Sequence, residues 1–443
     1  MVFLFGAILG AIVNYAVGAF AWFPRGISPW CAQQGRGLPP RKGWDYVPIL
    51  GWLTLRRESR VLGKGFWIRP LLVEVGLGLF AVWFYHFHVT RMEGLAAFYG
   101  IPLSTGEMWT LYGRFLFQMV FVALMVAVSL VDMDEKTIPD VFTVGGTLFA
   151  LGISAIFPIE LPWREESTEI RLLPEVRYEK VEKPIVVQSI SQLPFFPETF
   201  WQPEECPHAL LYPLSATAPR PALGVMRGDG VWGIFSALLC WWGWCFAMLD
   251  RRWHPRHGWR RAWGLFWERL KRSPATLRLY RLGMAGTLVI LGFWLFRGEH
   301  WFHLWSALVG MGISGGFLWG IRLVSAVAMR REAMGFGDVL LMAMFGAFLG
   351  WQPCVVLFFL SPFAALGIGV VISLLRQERE IPFGPFLCLA ALFTMIFWEP
   401  IWQMTAPVFL WGPALFPVAV GCLLGMGILL GILQKIKKLC GIS

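Results

Sequence analysis

A chain of 443 residues, 57% hydrophobic and 15% charged, with a mean hydropathy of +0.60, lies outside the range of water-soluble globular proteins. A bilayer core takes about 20 apolar helical residues to cross, and such runs recur along nearly the whole sequence. The fold class is therefore an all-α polytopic integral membrane protein; the net charge of +10 reads as topology, not as a footprint for a nucleic-acid partner.

Taken in chain order, the apolar runs predict about 11 transmembrane helices, at 3–23, 71–88, 114–131, 141–160, 230–249, 282–297, 304–328, 338–351, 353–375, 383–400 and 407–434. The opening "MVFLFGAILGAIVNYAVGAFAWFPRG" has no basic residue before its apolar run and meets its first charge at Arg25. It reads as a retained span, with Met1 outside and Arg25 cytoplasmic. The cytoplasmic connections are then 24–70, 132–140, 250–281, 329–337, 376–382 and the tail, and the basic residues of 24–70, of 250–281 and of "QKIKK" sit where the positive-inside rule places them.

Four segments organise the chain: a membrane half at 1–160 with cytoplasmic loop 24–70, an insertion at 161–300, a second membrane half at 301–400, and an additional span with a basic tail at 401–443. Within the insertion, 161–229 has balanced charge, β-type alternation and many prolines, which suits a small extracytoplasmic domain or a tethered irregular loop and opposes one continuous helix. The stretch 250–281 interleaves Trp and Arg on an amphipathic pattern suited to anionic lipid headgroups. None of the eight cysteines forms a C-x2-C pair, so neither a disulfide framework nor a zinc cluster is legible.

Two groups of carboxylates stand at span ends on the cytoplasmic side of this topology. In "REAMGFGDVLLMAMFGAFLGW", Asp338 precedes a long uncharged run, and Gly335 and Gly337 are expected to let the backbone turn sharply and a neighbouring helix come close. An acid in a first helical turn is also an ordinary capping residue. In "SLVDMDEKTIPD", Asp132, Asp134 and Asp140 stand at the same face, with Asp140 opening the next helix after Pro139. Two carboxylates sharing a half-dry site cannot both ionise comfortably; one keeps a proton while the other activates water, which is aspartyl protease chemistry.

These residues carry a resemblance. "SLVDMDEKTIPD" resembles the D-x-D and P-D segment of type IV prepilin peptidases, and "GFGD" with "AMFGAFLGW" resembles their GxGD motif and its downstream A-x-x-G-A-x-x-G-W. Also similar, and in the family's order, are "GAILGAIVNYAV" with Asn14, "DYVPILGWLTLRRESRVLGKGFWIRPLLVE" with Pro48, Arg69 and Glu74, the helix before GxGD, and "IPFGPFLCLAAL" at 381–392. About 1–160 and 301–400 are covered.

The resemblance implies a membrane-embedded aspartyl endopeptidase of the bacterial inner membrane that removes the basic leader of prepilins or pseudopilins after a glycine, at the cytoplasmic face, with contact to pilus or secretion machinery. Carried over by position, Asp132 and Asp338 are the catalytic pair, Asp134 is the alternative to Asp132, and an Arg69–Glu74 contact is expected to steady loop 24–70. Many members also methylate the new N-terminus with S-adenosylmethionine; here that activity rests on resemblance alone, since no Gly-rich nucleotide loop is present.

Two departures matter. The zinc-holding cysteine tetrad of many members is reduced to Cys31, with Gln34, Ser59 and Leu62 at the other positions, so no zinc is expected. The basic residue that commonly follows GxGD is replaced by the apolar Val339, Leu340 and Leu341. A catalytically silent relative serving as an assembly platform is the alternative these losses favour. A proton- or ion-coupled transporter is disfavoured, because the acids cluster at one face and no inverted repeat is visible.

Overall fold

The computed structural model describes residues 1–23, 28–30, 41–90, 105–156, 230–249, 264, 267–268, 272–296, 299–329, 334–376, 382–409, 417–425 and 427–428. Among them every regular element is helical: α1 Val2–Phe20, α2 Leu50–Leu55, α3 Ser59–Leu62, α4 Ile68–Tyr85, α5 Thr105–Glu135, α6 Asp140–Ile156, α7 Gly230–Ala247, α8 Pro274–Phe296, α9 Glu299–Met329, α10 Phe336–Leu349, α11 Trp351–Arg376, α12 Gly384–Ile396 and α13 Trp398–Phe409. Six are long and apolar enough to cross a membrane, over Val2–Phe20, Ile68–Thr90, Leu111–Glu135, Gly230–Ala247, Pro274–Phe296 and His300–Ala328. The polytopic all-α class read from composition holds. The 161–229 segment expected to carry β character, and most of the basic 250–271 stretch, lie outside the described residues.

Several boundaries differ from the hydropathy pattern for local reasons. The run 383–400 is two helices, broken at Phe397, because Pro400 has no amide hydrogen and its ring would clash with the carbonyl of Ile396 in a continuous helix. Within the run 407–434, residues up to Phe409 belong to α13 and residues 417–425 are helical, while 410–416 lie outside the described residues. Beyond Tyr85, α4 loosens into a π-helical turn, His86–Thr90.

The described residues fall into two compact units, the first from Met1–Gly146 and Val356–Pro407, the second from 147–156, 230–355 and 408 onward. In the first, α1 crosses α4 at backbone distance. A Cβ built at Gly6 would lie 2.4 Å from the Leu77 carbonyl oxygen, and one at Gly10 would lie 2.6 Å from Glu74 Cα. This is the small-x-x-x-small contact by which helices associate where lipid removes any hydrophobic incentive. Helix α5 packs on both α1 and α12.

In the second unit the same device joins α9 to α10. A Cβ at Gly346 would lie 2.2 Å from the Gly310 carbonyl oxygen, and one at Gly310 would lie 2.2 Å from that of Gly346. Every residue of α10 from Asp338 to Leu349 is buried. A helix apolar all round needs such enclosure, and with 14 residues it is only about 21 Å long, short of a full bilayer crossing. Helix α7 packs against α8 through Trp241, whose indole Nε1 donates to the Gly283 carbonyl at 2.9 Å.

Gly346→Val is therefore expected to force α9 and α10 apart and to lower stability by about 1–3 kcal/mol or more, read as a fall in Tm of the detergent-solubilised chain. Gly152→Ala, whose added Cβ meets open space, should leave Tm unchanged; equal Tm values for both variants would contradict the close contact.

Candidate functional site

Helix α5 ends in "DMDEK", and each acid of that run meets a different donor. Lys136 adopts a left-handed conformation at φ 54° and its amide donates to the Asp132 carbonyl at 2.8 Å, which closes the helix. Asp132 is buried, and its Oδ2 accepts from the Gly384 amide at 3.2 Å. Both oxygens of Asp134 accept from Arg69 Nη1 at 2.8 Å, while Arg69 Nη2 donates to the Leu130 carbonyl at 3.1 Å. Glu135 receives the amides of Trp22 at 2.9 Å and Phe23 at 3.2 Å, and so fixes the chain where it leaves α1.

The expected Arg69–Glu74 contact is not formed. Five positions apart on α4, the two side chains leave the helix on different sides, Arg69 towards α5 and Glu74 towards α1. Asp140 is exposed as the first residue of α6, in the helix-opening place expected of it.

Glu74 instead organises the segment that follows α1. Buried to 2% exposure, it accepts from Asn14 Nδ2 at 3.1 Å, from Trp52 Nε1 at 2.7 Å and from the Ile49 amide. Ile49 has a φ of 67°, a conformation that a β-branched residue adopts only under strain, and the bond to Glu74 holds it there. Asn14 Nδ2 also donates to the Pro70 carbonyl at 2.9 Å, so one amide joins α1 to α4 at the same level.

Two acids not singled out from the sequence complete this segment. Asp45, fully buried, accepts from the Lys42 amide at 2.7 Å and from Thr54 Oγ1 at 2.7 Å, and is ion-paired with Arg57. Burial opposes its charge, but the Lys42 amide, Thr54 and Arg57 together outweigh burial and hold its carboxyl below the usual range. Glu58 pairs with Arg41 at 3.2 Å, yet there burial dominates over Arg41 and Arg57 and pushes the carboxyl up. No spacing or periodicity marks either acid; only the folded turn brings Thr54 and Arg57 back to Asp45. Of the tetrad positions, Ser59 and Leu62 lie on α3, whereas Cys31 and Gln34 lie outside the described residues.

In the second unit, Asp338 sits in the first turn of α10, buried to 8% exposure. The glycines before it do not act through a left-handed turn: Gly335 is the N-cap at φ −65° and ψ 152°, extended backbone open to any residue, and Gly337 is already helical. A Cβ at Gly335 would stand 3.6 Å from Asp338 Oδ2, an ordinary contact distance, so neither the backbone angles nor the space requires a glycine there. The approach to this turn is set by Arg322 of α9, whose Nε donates to the Met334 carbonyl at 3.1 Å and whose guanidinium lies over the Phe336 ring at 5.5 Å. Val339, Leu340 and Leu341 are all buried, so the turn bearing Asp338 is walled by hydrocarbon.

Residues 279–370, which include Asp338, match the Type IV leader peptidase family. Among curated proteins, the chain is 33% identical over 105 residues to the prepilin leader peptidase/N-methyltransferase of Aeromonas hydrophila, covering 23% of this chain and 35% of that relative. It is 27% identical over 126 residues to the protein of the same name in Pseudomonas putida, covering 27% and 44%. To the leader peptidase HopD of Escherichia coli it is 37% identical over 92 residues, covering 20% and 56%. The chain thus matches about a third of the length of the first of these relatives, 35%, and Asp132 lies outside the family-matched residues. No solved structure matches the chain.

Asp45→Ala is expected to remove about 2–3 kcal/mol from the 42–58 segment, by taking the buried acceptor from the Lys42 amide and the close ion pair from Arg57, while Thr54 keeps the Gly51 carbonyl. Because the folded carboxyl titrates below its ordinary value of 3.8, its contribution is present above that pH and is lost as pH falls through the lowered value. Hydrogen exchange of residues 42–58 should show the variant deprotected at pH 7; unchanged protection would remove Asp45 from this role.

Proposed function

We propose that the chain is a membrane-embedded aspartyl endopeptidase of the bacterial inner membrane that removes the leader of prepilins or pseudopilins after a glycine at the cytoplasmic face. The observation that carries this reading is Asp338, a buried carboxylate in the first turn of a helix buried from Asp338 to Leu349, inside the residues that match the leader peptidase family. The second acid is assigned to Asp132 over Asp134, because Asp134 has both oxygens on the Arg69 guanidinium. Among the described residues, Asp132 has only Oδ2 engaged, on Gly384.

The reaction needs two carboxyl groups and a water. The ionised member takes a proton from the water as its oxygen bonds to the carbonyl carbon after glycine, and the protonated member gives its proton to the carbonyl oxygen. When the tetrahedral intermediate collapses, the C–N bond breaks; the first carboxyl gives its proton to the amide nitrogen, the second recovers one from the diol, and the pair returns to its starting state. The hydrocarbon beside Asp338 would exclude bulk water from this chemistry.

The relatives' names also carry N-methyltransfer, for which S-adenosylmethionine would be the methyl donor. The cleft bounded by Trp30, Asp45, Tyr46, Pro48, Trp52 and Glu74 has space of about 10 Å³, enough for one water, and does not fit that molecule. The proposed orientation puts the N-terminus outside and the C-terminus in the cytoplasm, with the substrate pilin and the pilus or secretion apparatus as partners.

The test is leader removal from a prepilin co-expressed with the chain, scored by mass spectrometry of the pilin N-terminus, where an added methyl group would report the second activity. Asp132→Asn and Asp338→Asn should each remain in the membrane and lower cleavage by at least about 10³-fold. Wild-type processing by both variants would overturn the proposed pair.

A further inference from the structure

Resting on that reading, we infer that Gly384 is a positioning residue for the reaction: its amide fixes Oδ2 of Asp132, so that Oδ1 is the oxygen that meets the water. Two independent features of the site carry this. The first is the bond itself, from the first residue of α12 to Oδ2 at 3.2 Å. An oxygen that accepts from a backbone amide, which cannot reverse its role, is kept as an acceptor, and proton exchange with water is directed to the other oxygen.

The second is the space. A Cβ on Gly384 would lie 2.5 Å from Asp132 Oδ2, 3.3 Å from its Cγ and 3.3 Å from Ile138 Cδ1. Any other residue would drive the carboxylate away from the amide or tilt the helix end. The neighbouring residue sharpens the requirement: Pro385 follows at the second helical position and has no amide to offer. The amides of Phe386 and Leu387 both return to the Phe383 carbonyl, at 3.1 and 3.2 Å. Of these first four amide positions in α12, the Gly384 donor is the one aimed at Asp132. A residue before proline is also biased against helical backbone through contact of the proline ring with its Cβ, and glycine, lacking that atom, can begin the helix there.

The arrangement divides labour between the two ends of one carboxylate. A backbone donor at a helix start is fixed in place by the helix, and it brings the partial positive charge of the helix N-terminus with it. Asp132 is thereby held by a group that needs no side-chain rotamer, and it can turn only about the axis that keeps Oδ2 on the amide.

Kinetics of Gly384→Ala, in membranes and on the full chain, test this. KM for the prepilin should stay within about twofold of wild type, kcat should fall by roughly 100-fold, and the acid limb of the kcat–pH profile should move, because the reacting carboxylate has lost its donor. Gly145→Ala, whose Cβ meets open space on α6, is the control for a glycine lost without consequence. Wild-type kcat and an unmoved profile in Gly384→Ala, with the wild-type chain active, would overturn the positioning role alone; absence of cleavage by the wild-type chain would overturn the functional reading instead.

Should Gly384→Ala fail to accumulate, the wild-type chain labelled with 13C-carbonyl phenylalanine and 15N-glycine supplies the second measurement. Gly6, Gly337, Gly346 and Gly384 each follow a phenylalanine and give signals, and the one lost in Phe383→Leu is the Gly384 amide, which should move as Asp132 titrates and should lose that dependence in Asp132→Ala. A pH-independent resonance would refute the contact.

Discussion

The end of α5 depends on three carboxylates being kept apart in function although they lie within four residues. Asp132 answers a backbone amide, Asp134 a guanidinium and Glu135 two consecutive amides of the chain leaving α1. Left to themselves, three acids so close would repel one another and favour whatever conformation spread them furthest. Fixed donors from three different segments remove that freedom. They also tie α1, α4 and α12 to the same turn, so the orientation of the Asp132 carboxylate follows from the packing of the first unit as a whole.

The magnitudes separate orientation from stability. Arg69 and Asp134 are partly exposed, at 45% and 20% for their side chains, and such a pair contributes at most about 1 kcal/mol. Its larger effect is geometric, since the planar fork that binds both oxygens of Asp134 also reaches the Leu130 carbonyl one turn earlier and clamps the last turn of α5. Bulk stability comes from elsewhere, from the glycine contacts of α1 with α4 and of α9 with α10, where backbones touch and dispersion is gained over the full crossing. Polar groups in this chain chiefly choose among arrangements that close packing has already made favourable.

What the sequence revealed and what it hid follow the same division. The helical, membrane-spanning class was legible because hydropathy is a property of one helix, whereas the close contact of Gly6 and Gly10 with α4 needed the partner helix to be seen. Asp132 and Asp338 were singled out through their motifs, and both are buried. The partner of Arg69 was not legible, because an acid five positions away on the same helix competes on paper with one 65 positions away, and only the packing of α4 beside α5 decides between them. Asp45 was hidden for a similar reason: its partners are brought round by a turn whose strained residue, Ile49, is itself held by Glu74. Gly335 and Gly337 were read as agents of a sharp turn, yet Gly335 has ordinary extended angles and room for a Cβ beside Asp338; the glycine that close packing does require is Gly384 beside Asp132.

The requirement at Gly384 bears on how a membrane protein can keep a buried acid at all. A buried carboxylate is costly unless polar groups compensate it, and side chains able to do so are bulky and bring charges of their own into a half-dry site. Backbone amides avoid both difficulties, provided that the helix start offering them can come within hydrogen-bonding distance. Such an approach demands a residue without a side chain, which is what stands at Gly384 beside Asp132. Glycine at position 384 is best understood as the absence of an obstacle, which lets main chain alone satisfy one oxygen of Asp132.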